Sequence, residues 1–304
     1  MNLFDDNLRS QILAAIPNPS PESPPTYTHK IEAGIIRAER WSHDNPRQIG
    51  FTDNAASSPR ILLGLCALDF EHSRPMRVDC VAGSVTRASA DLNIKSWDDT
   101  RHAGSSCSWL KLPANDDDIQ CGRFDLDEDH PWYKPQEVTT HRVTFTRPYA
   151  DAPKVAVWLY KLAMPHDQAN RVVVEVQDNT REGFTIRVAT WLGSTVHGAG
   201  VAWIAIPGSR SDITCGRYST QDVRPSRRDS PHTSGRVTFS GTAFTSLPRV
   251  FVAVSSIEFE RGINVRLNEM LVTKITPDGF KWHLDTRDGS ILYTAAGAYV
   301  AFAS

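Results

Sequence analysis

The stretch GFTIRVATWLGSTVHGAGVAWIAIP, residues 183–207, decides the reading of this chain. Two alternating apolar runs flank a small polar turn, with one Trp closing the first run and another inside the second. Alternation with period two marks half-buried strands, and the short turn between them predicts a hairpin. Trp203 shares a strand face with Val201 and Ala205 and is expected in the core, because a large aromatic on a strand fills the space between sheets. Trp191 ends the first strand and His197 opens the second, so both can point toward the loop end of the fold.

Versions of this stretch occur twice more. Aligned on Trp191, it pairs with SADLNIKSWDDTRHAGSSCSWLKL (89–112) and GFKWHLDTRDGSILYTAAGAYVAF (279–302). Trp97, Trp191 and Arg287 share one position; Trp109, Trp203 and Tyr299 share a second. Upstream, SPRILLGLCALDF, APKVAVWLYKLAM and LPRVFVAVSSIEF match, as do HRVTFTRPYADAP and GRVTFSGTAFTSLP, with RQIGFTDNAASSP a weaker third. DIQCGRFD and DITCGRYS mark the starts of copies two and three. The period of about 95 residues is that of a duplicated domain, longer than a solenoid repeat. The copies are drawn at 31–114, 115–209 and 210–304. Short, β-branched runs between turns such as TREG and TPDG predict about six strands per copy and a small antiparallel sandwich. The first residues differ: Phe4, Leu8, Ile12 and Ile16 recur at helical spacing until Pro17, and PNPSPESPPT follows as a semi-rigid linker. Residues 1–30 are thus expected to hold a short helix, docked on a domain or a partner subunit, and its linker.

The 304 residues carry a net charge of −2, which excludes an electrostatic case for nucleic acid or an anionic membrane. No run of about 18 apolar residues predicts a membrane span. Asp5 and Asp6 stand where a signal peptide needs positive charge, and the five cysteines form no C-x-x-C pair. A cytoplasmic home, or export by a non-classical route, is the expectation.

Catalytic motifs are absent: there is no G-x-S-x-G, P-loop, H-E-x-x-H or G-x-G-x-x-G. HGAG (197–200) without a nucleophile elbow reads as a tight bend, and the acidic run NDDDIQ (115–120) as a solvated linker between copies. No enzymatic activity, metal or cofactor is expected, although two converging carboxylates of a glycoside hydrolase would leave no mark in sequence. What remains is the set of positions on which the copies differ. An aromatic ring beside a guanidinium suits a sugar, the ring covering the C–H face and the charged groups taking hydroxyls. The plainer reading of the same residues is a Trp at a core edge and an Arg in a surface ion pair.

The series HRVTFTRPYADAPKVAVWLYKLAM…NRVVVEV…GFTIRVATWLGSTVHGAGVAWIAIP resembles the H-type lectin domain of snail agglutinins, discoidins and many fungal proteins. The resemblance runs from about residue 31 to the end, strongest in copy two and weakest in copy one. It implies three six-stranded antiparallel β-sandwiches fused as an intramolecular pseudo-trimer, with galactose or N-acetylgalactosamine bound between copies. Fusion makes assembly intramolecular, so dilution should not separate the copies. The family's arginine falls on Arg77, Arg171 and, with one inserted residue, Arg266. Its aromatic falls on Trp97 (with Asp98 beside it), Trp191 and Arg287, and a second ring position on Ala103, His197 and Tyr293. The acidic loop aligns poorly, with Asp44, Asp129 and Asp229 as candidates. Copy two keeps Arg171, Trp191 and His197, and is expected to hold the most complete site with an acid from another copy. Glycans are the implied partners. The alternative is a scaffold whose sugar sites have decayed and whose N-terminal helix recruits a partner.

Overall fold

The computed structural model describes residues 30–53, 57–226, 228–241 and 244–303, so the expected N-terminal helix lies outside the described residues. Copy one forms β1 (Glu32–Arg37), β2 (Asp44–Gly50), β3 (Arg60–Phe70), β4 (Met76–Val85), β5 (Ser89–Lys95) and β6 (His102–Leu112). Copy two repeats the series as β7 (Gln120–Asp125), β8 (Val138–Thr144), β9 (Lys154–Met164), β10 (Asn170–Gln177), β11 (Gly183–Ala189) and β12 (Gly198–Ile206). Copy three gives β13 (Ile213–Ser219), β14 (His232–Thr238), β15 (Arg249–Phe259), β16 (Val265–Leu267), β17 (Leu271–Thr276), β18 (Gly279–Asp285) and β19 (Leu292–Phe302). The fold is all-β and its strand ladders are antiparallel; the described helical segments are two short 3-10 turns.

One expectation is corrected at once. The stretch 183–207 is not a hairpin: β11 pairs with β8 and β10, while β12 pairs with β7 and β9 in a different sheet. Residues 190–197 therefore cross from one sheet to the other. The corresponding crossings in copies one and three join β5 to β6 and β18 to β19, again in different sheets. Alternation fixes the strand character of a run but not its partner, which is why the two cases look alike in sequence.

The sheets also cross the copy boundaries. Strand β4 pairs with β9, β10 with β15, and β16 with β3, so each copy is hydrogen-bonded to both others. In copy three the fourth strand is split: β16 joins copy one, the chain turns, and β17 pairs with β18. The Met270 amide at this turn donates 2.9 Å to the Cys66 carbonyl, which ties the break to copy one.

The second aromatic position explains a glycine. Gly34, Gly122 and Gly216 stand directly across from Trp109, Trp203 and Tyr299 in the three copies. A Cβ added at Gly122 would lie 2.8 Å from the Trp203 ring, and the same holds for Gly216 against Tyr299. The strand that opens each copy must leave that space to the ring. Trp203 in turn packs on Phe184 and Phe145, at centroid distances of 5.4 and 6.3 Å. It is half-buried against the core rather than sealed within it.

The continuous apolar strands β3, β9 and β15 meet one another at the centre. Strands buried on both faces read as unbroken apolar runs, as these do. Their equivalent middle positions are Gly64, Trp158 and Ala253. A Cβ on Gly64 would fall 2.4 Å from the Ala253 Cβ and 2.6 Å from Trp158 Cδ1, so one indole occupies room that the other two copies leave. Trp158 is fully buried and donates its Nε1 hydrogen bond, 2.8 Å, to the Leu63 carbonyl.

The acidic run between copies one and two is not a solvated linker throughout. Asp116 is buried and accepts two bonds from Arg210, at 2.9 and 3.1 Å, while Arg210 also grips Asp212. Arg60 donates to the carbonyls of Pro113, Asp116 and Ile119. The two inter-copy junctions are thereby fastened to each other. Asp117 fits the expectation, with three-quarters of its side chain exposed.

Candidate functional site

The side chains on which the copies differ gather at the three seams. After the first aromatic position the backbone turns left-handed in every copy, at Asp98 (φ 54°), Leu192 (φ 52°) and Asp288 (φ 50°). This conformation costs a side-chain residue about 1–2 kcal/mol and persists where the surrounding structure fixes it. The arginines Arg77, Arg171 and Arg266 lie on the fourth strand, in cross-strand register with Ala163, Glu258 and Asp69 of the neighbouring copy. Each seam thus opposes one arginine to one variable residue.

Between copies one and two lies a cavity of about 540 Å³. Copy one lines it with Arg77, Trp97 and Asp98; copy two adds Asp127, Trp132, Lys161, Ala163 and His197. Arg77 donates 2.8 Å to Asp99 and stands 3.8 Å from Asp98, both on its own copy and both at least half exposed. The hydrogen bond from Arg77 holds the Asp99 carboxyl below its usual range. Lys161 anchors the acidic turn, donating 2.9 Å to Asp125 and 2.8 Å to Asp127. Burial alone would lower its pKa, but these two bonds outweigh it and hold the ammonium above its ordinary value. His197 donates from Nδ1 to the Trp132 carbonyl at 3.1 Å, and the two rings meet edge to face at 6.1 Å. The cleft therefore offers two indoles, an imidazole, a guanidinium, an ammonium and carboxylates around one opening, suited to a polar ligand with a flat apolar face.

The structure divides the copy-two set Arg171, Trp191 and His197. His197 joins Arg77, Trp97 and Asp98 in the first cleft, whereas Arg171 faces copy three. Arg171 donates 3.0 Å to Glu258 and 3.2 Å to Ser194, beside the half-buried Trp191. On the same seam Tyr293 donates to Glu260; that bond raises the phenol pKa and lowers that of the carboxyl. At the third seam Arg266 pairs with Asp69 at 3.3 Å and with Asp288 at 3.4 Å, and Arg287 also binds Asp69. Ala103, the remaining second-ring position, brings only a methyl group.

The acidic candidates fall elsewhere. Asp44 accepts 2.6 Å from Asn93 on the neighbouring strand, Asp129 is exposed just past a 3-10 turn, and Asp229 is exposed near Tyr293 and Arg224. The acid that copy two brings to the first cleft is Asp127, inside that turn. Its signal was present in the run DLDE, where Asp125 and Glu128 form a reciprocal capping box that fixes residues 126–128. Copy three forms the same box from Ser219 and Asp222, but carries Gln221 where copy two has Asp127. Trp132 and Lys161 carry no such sequence signal, because neither is repeated in the other copies.

Three like units that pair across their edges, with an aromatic- and arginine-lined cleft where the first two meet, define a tandem β-repeat protein. The model of the H-type lectin domain matches residues 47–110, 140–206 and 234–302, more than half of the chain, and the chain belongs to that family. A lectin's general role, binding carbohydrate, follows from that membership. A curated protein of Fuscovulum blasticum, "ATP synthase subunits region ORF 7", is similar at 27% identity over 84 residues, covering 26% of this chain and 73% of that protein.

Proposed function

We propose that this chain is a non-catalytic lectin that binds a sugar of the galactose or N-acetylgalactosamine type in the cleft between copies one and two. The observation that carries the reading is the joint lining of that cleft: Trp97 and Arg77 from one copy, Asp127 and His197 from the next. Trp97 would cover the apolar face of the ring. Arg77 and His197 would donate to hydroxyls, and Asp98 and Asp127 would accept from them. The paired seams support an intramolecular pseudo-trimer of β-sandwiches, with this cleft the counterpart of a site between subunits. The five unpaired thiols are consistent with a reducing compartment.

A glycan array, followed by titration of the best ligand, tests this. Trp97→Ala is expected to weaken binding at least about tenfold, equal to roughly 1.4 kcal/mol, with an unchanged melting temperature. Full retention of affinity in that variant contradicts the site. A folded chain that binds no glycan at millimolar sugar leaves the scaffold reading in its place.

A further inference from the structure

Building on the glycan-binding reading, we propose that the residue facing each arginine decides which seam accepts sugar, and that the chain binds one glycan per molecule. Ala163, Glu258 and Asp69 hold that position at the first, second and third seams.

The three arginines differ in how firmly they are held. Arg171 and Glu258 are bonded at 3.0 Å with side chains only 15% and 10% exposed. Asp69, 11% exposed, serves both Arg266 and Arg287. A sugar hydroxyl is a neutral acceptor, whereas a carboxylate adds an ion-pair attraction to the charge-assisted bond, and that attraction is greater where the pair is sheltered from water. A hydroxyl binding at either of these seams would have to displace a sheltered ion pair with Glu258 or Asp69 in exchange for a bond to a neutral oxygen. Binding there is uphill.

In the first cleft the exchange runs the other way. Across from Arg77 stands a methyl group, which makes no claim on the guanidinium. The partners of Arg77 are Asp98 and Asp99, 68% and 50% exposed, and such pairs hold little net energy in water. Asp98 also lines the opening, where its carboxylate can accept from the same sugar that accepts from the arginine. The first aromatic position adds to the contrast: Trp97 is present here, while Arg287 gives the third seam no stacking surface. The second seam keeps Trp191 but commits its arginine. A chain with one competent cleft binds sugar without cross-linking it.

Native mass spectrometry of the full chain with N-acetylgalactosamine counts the sites. One bound sugar per chain at saturation is expected, and two or three would overturn this proposal while leaving the lectin reading standing. Failure of the folded chain to bind any sugar would overturn the lectin reading itself and the proposal with it. As a second measurement, Ala163→Glu places the carboxylate of the second seam opposite Arg77. Affinity should fall at least tenfold while the melting temperature holds; unchanged affinity in a folded Ala163→Glu protein counts against the seam residue as the determinant.

Discussion

Gly122 shows how one hydrogen atom is chosen. Replacing it with alanine gains backbone stability of about 0.5–1 kcal/mol in a strand, yet the new methyl would lie 2.8 Å from Trp203. The indole is held from behind by Phe145 and Phe184 and has no easy retreat. Overpacking of this kind costs about 1–3 kcal/mol, so the clash wins. Gly122→Ala should lower the melting temperature by roughly 2–6 °C. Trp203→Leu in the same chain should recover part of that loss, and strictly additive effects in a double-mutant cycle would refute the contact. The sequence made the aromatic legible through alternation and the glycine legible through the repeated CGR run. It could not show that the two face each other, because a cross-strand partner lies about 80 residues away on the chain.

At the scale of the element, the crossings between sheets carry the functional differences. Trp191 and His197 look like neighbours at one loop, but the sheet that holds β11 continues into copy three and the sheet that holds β12 continues into copy one. The two residues therefore serve different seams, which strand periodicity alone cannot reveal. The corresponding crossing of copy one, between β5 and β6, ends on a further irregularity. His102 occupies the position filled by Val196 and Leu292 in the other copies, and all three are buried. Its Nε2 donates 2.5 Å to the Ser42 carbonyl, and its Nδ1 has no partner. Burial, the largest influence, pushes the imidazole pKa below its ordinary value. For a base held low in the fold, the unfolded chain takes up the proton first. Stability from this group is complete above about pH 6.5 and is lost as pH falls from there through the lowered folded pKa. His102→Leu should accordingly show a smaller drop in melting temperature between pH 7.5 and 5 than the parent chain; parallel profiles would refute the assignment.

For the whole molecule, the centre matters more than any seam. Trp158 alone fills the space where Gly64 and Ala253 stand back, and its Nε1 satisfies a carbonyl of copy one. Removing a buried Trp costs about 3–5 kcal/mol, and a domain beyond 150 residues loses roughly 2 °C or more per kcal/mol. Trp158→Ala should therefore melt at least roughly 6 °C lower. A shift under about 2 °C in thermal denaturation would mean the centre is loosely packed. The all-β class, the three copies and their strand content were legible from pattern alone. The closing of the copies on one another was implied only by the family resemblance, since strand pairing between copies leaves no periodic mark.

The unlike trio at the centre also makes the three copies non-interchangeable. Three identical units would place three indoles, three methyl groups or three hydrogens at one point, either colliding or leaving a void. Only an assembly of unlike units can combine large, small and absent side chains there, and covalent linkage guarantees one of each. A symmetric trimer built from any one of these copies would therefore lose the packing that the three together achieve at the centre.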